Sequence, residues 1–120
     1  MVLVDTSVWV DHLCRGEPGL RDLLSAGHVA THPFVIGELA CGNLAHRESI
    51  LGLLRALPSS KTATDEEVLQ FVNARRLYGR GLGWIDAHLL ASACLSRTPL
   101  WTKDRRLASV AASMNAAVHE

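Results

Sequence analysis

What this sequence has little of narrows its possible roles first. Cysteine occurs three times, at Cys14, Cys41 and Cys94, and nowhere as a C-x-x-C pair. An odd, scattered set supports neither a disulfide framework nor a zinc site, so the three read as reduced residues filling the core. No apolar run approaches the roughly 18 residues of a membrane span. The short apolar start lacks a basic segment and is interrupted at Asp5, which argues against a signal peptide. Together these absences predict a cytoplasmic protein that does not engage the membrane. Aromatic residues make up 5%, and of the three tryptophans Trp101 is expected in the core. Trp9 and Trp84 have two readings, as core or interface residues or as platforms for nucleic-acid bases.

Net charge is absent too, with 12 basic against 12 acidic residues. No overall field therefore argues for a polyanionic partner, but the distribution is uneven. Residues 1–74 carry 5 Lys/Arg against 9 Asp/Glu, whereas residues 75–106 carry 7 against 2. A basic second half, including Lys103, Arg105 and Arg106, is compatible with phosphate contacts. A solvated helix face explains such a run equally well.

What is present is an ordinary globular composition, 48% hydrophobic and 20% charged over 120 residues. That fits one domain, 1–120, able to bury a core without staples. Short apolar runs alternate with helix-length segments, the pattern of an α/β fold with a parallel sheet. Strands are expected at 2–4, 28–31, 60–63, 99–102 and 116–118, about five in all. Helices are expected over 8–14 behind Thr6 and Ser7 as caps, over 17–25 ended by Gly27, and from Pro33 through 44. Another ends before Pro58, with Ile50, Leu53, Leu54 and Leu57 at helical spacing. Thr64 with Glu67 is a capping box opening a helix to 78, and further helices cover 84–96 and 104–113.

The chemical signal lies in four acids. Asp5 ends the first strand, Glu38 sits in the apolar stretch Pro33-Phe-Val-Ile-Gly-Glu-Leu-Ala-Cys, Asp86 opens the most apolar helix, and Asp104 follows the strand Pro99-Leu-Trp-Thr. In open α/β sheets ligands bind beyond the carboxyl ends of the strands, and Asp5 and Asp104 fall there. Asp86 and Asp104 also read simply as N-caps. Asp5 and Glu38 are harder to assign a structural role. A charge ending a buried strand needs a partner, and no Lys or Arg lies within a helical turn of Glu38 in its apolar setting. Asp11, on the first helix, reads as a surface or supporting residue, and His88 as a helix-surface histidine. At about 5 Å and an effective dielectric of about 20, each pair of converging carboxylates costs roughly 3 kcal/mol. Such a cluster either holds protons or binds cations. Oxygen donors without His or Cys at ligand spacing suit Mg²⁺ or Mn²⁺, and such ions serve phosphodiester hydrolysis.

Val4-Asp5-Thr6-Ser7-Val8-Trp9 resembles the opening motif of PIN-domain proteins. Gly37-Glu38-Leu39, Trp84-Ile85-Asp86-Ala87 and Thr102-Lys103-Asp104-Arg105 resemble the family's second, third and fourth acidic positions, in order along essentially the whole chain. The length and the opening are most similar to the VapC-type toxins of VapBC toxin–antitoxin pairs. That resemblance implies a three-layer α/β/α sandwich around a central parallel sheet and a homodimer. It implies Mg²⁺-dependent endoribonuclease cleavage of RNA, with Mn²⁺ able to substitute, and inhibition by a cognate VapB antitoxin. It makes Asp5, Glu38, Asp86 and Asp104 metal ligands and activators of the attacking water, supported by the hydroxyls of Thr6, Ser7 and Thr102. Gly-Trp-Ile ahead of Asp86 departs from many relatives and points to a subgroup with an altered substrate groove. The apolar surplus over residues 34–57 fits a dimer or antitoxin surface, or a well-packed helical hairpin. Other phosphotransfer folds fit poorly: a haloacid-dehalogenase-type phosphatase wants Asp where Ser7 stands, and a receiver domain wants an acidic pair beside Asp5. A PIN fold used only as a binding module is the remaining rival, and such modules usually lack acids that are all present here.

Overall fold

The structure, a computed structural model, describes residues 1–114, 116, 118 and 119. Its centre is β1 (Val2–Val4), in which Leu3 and Val4 are completely buried. A strand buried on both faces tolerates only apolar side chains, and Val-Leu-Val supplies them. On one side β1 pairs in parallel with β2 (Val29–Ala30), Val2 opposite Val29. On the other it pairs in parallel with β3 (Leu100–Trp101), Leu3 opposite Leu100 and Val4 opposite Trp101. Among the described residues the order β2-β1-β3 makes a three-stranded sheet, not the five strands expected.

Where the outer strands were expected, the chain makes single parallel bridges, Thr31 to Ser59 and Leu100 to Val118. The first has a local cause. Lys61 and Thr62 are exposed, so 60–63 has no buried face to extend the pairing, and contact stops after Thr31 N donates to the Pro58 carbonyl and Ser60 N to that of Thr31. The expected strand 116–118 includes Ala117, outside the described residues, and only its Val118 bridge is seen.

Seven helices occur among the described residues. α1 (Thr6–Arg15) starts two residues earlier than expected, so Asp5, not Thr6 or Ser7, occupies the cap position. Asp5 makes no side-chain cap bond, and its carboxylate is left for other work. α2 (Pro18–Ser25) begins with Pro at its first turn and ends where Gly27, at φ +73°, turns the chain left-handed. α3 (Pro33–Cys41) is shorter than expected and is capped by His32, whose Nδ1 accepts the Phe34 N–H at 3.0 Å. α4 (Arg47–Ala56) follows. α5 (Asp65–Ala74) carries the reciprocal Thr64–Glu67 capping box but stops four residues short of Tyr78. Arg76, at φ +54°, ends it, with Leu77 N donating to Val72 O and Arg76 N to Asn73 O, the Schellman arrangement usually given to glycine. α6 (Trp84–Ser96) buries Ala87 through Ala93 without a break, as an interior helix must. α7 (Arg105–Ser113) buries Leu107, Val110 and Ala111.

The core joins the sheet to Val8, Trp9, Leu20, Val35, Leu39, Leu51, Leu54, Leu89, Leu90 and Leu107. Trp101 belongs to it, as expected, whereas Cys14 and Cys41 are exposed and Cys94 half-buried, all three as free thiols. The apolar surplus over 34–57 is mostly absorbed. Ile36, Leu44, Ile50 and Leu57 pack against this core, Phe34 lies against the rings of His32 and His88, and Leu53 alone of that group is strongly exposed. His88 is a correction. It lies buried in α6, its Nε2 3.0 Å from Asp65 Oδ1, because the whole middle of that helix faces inward. No helix among the described residues is long and apolar enough to cross a membrane.

Candidate active site

At the carboxyl end of β1 the chain leaves the sheet directly into α1, which holds Asp5 in the interior at 7% exposure. Two hydroxyls converge on one of its oxygens. Ser7 Oγ and Thr102 Oγ1 each donate to Asp5 Oδ2 at 2.7 Å. Both are themselves held by the turn after β3, with Lys103 N donating to Ser7 Oγ at 2.9 Å and Asp104 N to Thr102 Oγ1 at 3.0 Å. The neighbouring strands β1 and β3 therefore share one hydrogen-bonded edge, closed by the Asp5 N–H donating to Trp101 O at 2.9 Å.

The other three acids follow the same pattern. Thr6 Oγ1 donates to Glu38 Oε1 at 2.7 Å. Asp86 lies three residues inside α6 and reaches back to accept the Gly83 N–H on Oδ2 at 3.2 Å. Asp104 caps α7, accepting the N–H groups of Arg106 and Leu107 on Oδ1 at 2.9 and 3.2 Å. The N-cap reading is thus correct for Asp104, while for Asp86 the cap itself is Gly83. In each acid one oxygen is held, and the other accepts no hydrogen bond among the described residues.

Glu38 corrects the sequence reading. Its apolar neighbours suggested a buried acid, yet Gly37 and Glu38 are exposed while Val35 and Leu39 face the core. Helical geometry turns adjacent residues about 100° apart, so an apolar stretch need not bury each of its members.

No Lys, Arg or His stands within ion-pair distance of Asp5, Glu38, Asp86 or Asp104 among the described residues. The four nevertheless act on one another. The Asp86 carboxyl is pushed above its ordinary range, chiefly by burial; the Gly83 hydrogen bond opposes this, and the charges of Asp5, Asp104 and Glu38 add to it. Among the described residues no three His, Cys, Asp or Glu side chains stand gathered as a finished metal cage. What the structure offers is an uncompensated set of oxygen donors, the chemistry that suits a hard divalent cation.

The cations that the sequence singled out are arranged otherwise. Lys103 Nζ bonds Asp11 Oδ2 at 2.7 Å and Glu17 Oε2 at 2.6 Å, and Asp11 also pairs with Arg15 at 3.2 Å. Arg106 lies over Gly81, where a Cβ would come within 2.6 Å of its guanidinium. Sequence reasoning missed the Lys103 network because 92 and 86 residues separate Lys103 from its two partners. It also missed His32, whose only local sign was its place before Pro33.

Residues 2–113 match the PIN domain family model. Along its full length the chain is 45% identical to Ribonuclease VapC32 of Mycobacterium tuberculosis, covering 98% of that protein. Among solved structures it is similar to a toxin-antitoxin complex from Klebsiella pneumoniae, with a TM-score of 0.70 and 23% identity over 99% of this chain and 97% of that one. It is also similar to FitAcB from Neisseria gonorrhoeae, with a TM-score of 0.67 and 15% identity over 100% and 97% of the two chains. At those identities the two structures speak to the fold.

Proposed function

The chain belongs to the PIN-domain family, and on that premise we propose that it is a Mg²⁺-dependent endoribonuclease hydrolysing RNA phosphodiester bonds, the toxin of a VapBC pair. The observation that carries this reading is the set of four carboxylates that, among the described residues, have no cationic partner and have one oxygen held and one free. The full-length likeness to a protein named as a ribonuclease supports it.

In this reading Asp5, Glu38, Asp86 and Asp104 hold Mg²⁺, or Mn²⁺ in its place. The bound ion would make a coordinated water more acidic and offset charge on the scissile phosphate. The chain's own contribution is orientation. Ser7 and Thr102 fix the Asp5 carboxylate, Thr6 fixes Glu38, and backbone N–H groups fix Asp86 and Asp104, so the free oxygens need not search for their direction. Asp86, raised above its ordinary range chiefly by burial in the metal-free protein, would be drawn into its ionised form by a bound cation. Helices on both faces of the sheet, the three-layer arrangement, belong to the same reading and accord with the complete burial of Leu3 and Val4.

Two partners follow. A cavity of about 540 Å³, bounded by Val10, Leu13, Leu39, Leu44 and Ile50, opens beside Thr6 and Glu38, and we place the VapB-type antitoxin there. For the homodimer the surface shifts from 34–57 to a hollow lined by Leu69, Tyr78 and Trp84, which are 54%, 63% and 42% exposed. The deciding experiment is RNA cleavage by purified protein in Mg²⁺. Asp5→Asn, Glu38→Gln, Asp86→Asn and Asp104→Asn should each nearly abolish it with circular dichroism unchanged. Wild-type rates in Glu38→Gln and Asp104→Asn together would overturn the four-acid mechanism and leave a binding module.

A further inference from the structure

The turn between β3 and α7, residues 102–104, reaches Asp5 by two relays that end on the same atom. One runs from the Lys103 N–H through the Ser7 hydroxyl to Asp5 Oδ2, the other from the Asp104 N–H through the Thr102 hydroxyl to the same oxygen. Each hydroxyl has one proton and spends it on Asp5, so it takes the backbone N–H on a lone pair. Displacing the turn would weaken both relays at once and carry Asp104 with it.

The side chain in the middle of this turn is tied elsewhere. Lys103 Nζ lies 2.7 Å from Asp11 on α1 and 2.6 Å from Glu17, the residue capping α2. Its anchors are restrained in turn, Asp11 by Arg15 at 3.2 Å and Glu17 by its N–H donating to His12 Nδ1 at 3.2 Å. Both carboxylates make Lys103 harder to deprotonate. Two anionic partners leave at most one ammonium proton for a phosphate, which argues against the plain reading of Lys103 as an RNA-binding cation.

We propose that Lys103 is a positioning residue: the Asp11–Lys103–Glu17 clamp fixes the 102–104 turn against α1 and the start of α2, and thereby sets Thr102 and Asp104 relative to Asp5. The catalytic consequence rests on the nuclease reading; the clamp itself is geometry.

The experiment compares the full chain as wild type, Lys103→Met, Lys103→Arg and the double variant Asp11→Asn with Glu17→Gln. Amide hydrogen exchange at positions 103 and 104 reads the clamp without metal or RNA, and kcat and KM for RNA cleavage in Mn²⁺ read its effect. For two partly exposed ion pairs, Lys103→Met should speed exchange at both amides by about fivefold to tenfold and lower kcat by a similar factor, with KM within about twofold. The double variant should reproduce this, and Lys103→Arg should restore most of it. Unchanged exchange in Lys103→Met overturns the clamp, as does a salt-dependent rise in KM with kcat intact, which would return Lys103 to phosphate binding. If exchange responds as expected but the wild type cleaves no RNA, the nuclease reading fails and the clamp stands.

Discussion

Thr6 Oγ1 donates to Glu38 Oε1 at 2.7 Å, so the first residue of α1 orients an acid in the middle of α3, an exposed side chain with no other described partner. Thr6→Val keeps the shape and removes the donor. RNA cleavage should fall by about tenfold, the usual scale for loss of a residue that orients a metal ligand, with the melting temperature little changed. An unaltered rate would mean that Glu38 does not depend on this contact.

The raised Asp86 carboxyl makes a prediction about stability. A group whose folded pKa lies above its ordinary value stabilises the fold below that ordinary value and loses the contribution as pH rises through the folded one. With Asp86 raised from 3.8, its ionised form is a liability near neutral pH that a bound cation would relieve. Calorimetry of the metal-free protein should therefore show Asp86→Asn melting above wild type at about pH 7. The gap should narrow as pH falls toward the ordinary carboxylate value, and Mn²⁺ should raise the variant's melting temperature less than the wild type's.

His32 has the opposite sign. Burial, with His88 nearby, pushes it down from 6.5 to about 4, and as a neutral ring it caps α3 through Nδ1. Between those two values the unfolded chain binds the proton and the folded one does not. Stability present above pH 6.5 is thus lost as pH falls through that window, by about 3 kcal/mol at most. His32→Asn keeps a capping oxygen for Phe34 N and has no such titration. Urea unfolding at intervals from pH 7 to about pH 4 should give a steep decline for wild type and a shallower one for the variant.

The proposed dimer surface is tested by charge. Sedimentation should show wild type as a dimer, and Leu69→Glu, which places a carboxylate on the exposed patch with Tyr78 and Trp84, as a monomer that still folds. A wild-type monomer at micromolar concentration would remove the homodimer from the reading.

Much of this was legible because it is local. Val2–Val4 followed by Asp5, the Thr64–Glu67 box and the limits of α6 are set by neighbouring residues, and each lies where the sequence placed it. The failures have two physical sources. Some helix ends carry no sequence mark: Gly27 announces the end of α2, but Arg76, which ends α5, adopts the same left-handed conformation, at φ +54°, with a side chain that does not favour it. Burial was the other. Glu38 was judged by its neighbours along the chain instead of by the helical face it shares, and His88 was judged by its polarity although α6 is enclosed. Of the four candidate acids, Asp5, Asp86 and Asp104 were identifiable by their places at strand and helix ends, and Glu38 by its apolar neighbours in the middle of α3. Of their supports, the N–H groups of Gly83, Arg106 and Leu107 and the Ser7 hydroxyl are local, whereas Thr6 reaches Glu38 and Thr102 reaches Asp5 from distant segments and only when the chain is folded.

One consequence of holding each carboxylate by a single oxygen bears on ion choice. An acid with one oxygen engaged presents the other more freely, and at Asp5 and Asp104, whose held oxygen already accepts two hydrogen bonds, a two-pronged grip on an ion would disturb that support. Four single oxygens, completed by water, suit a small octahedral ion at about 2.1 Å, whereas calcium favours six to eight donors and often both oxygens of a carboxylate. Size discrimination in this protein would then reside in the hydroxyls of Thr6, Ser7 and Thr102 and in three helix-start N–H groups, which touch no ion themselves. Calcium admitted here should compete for the place while leaving the phosphodiester bond uncut.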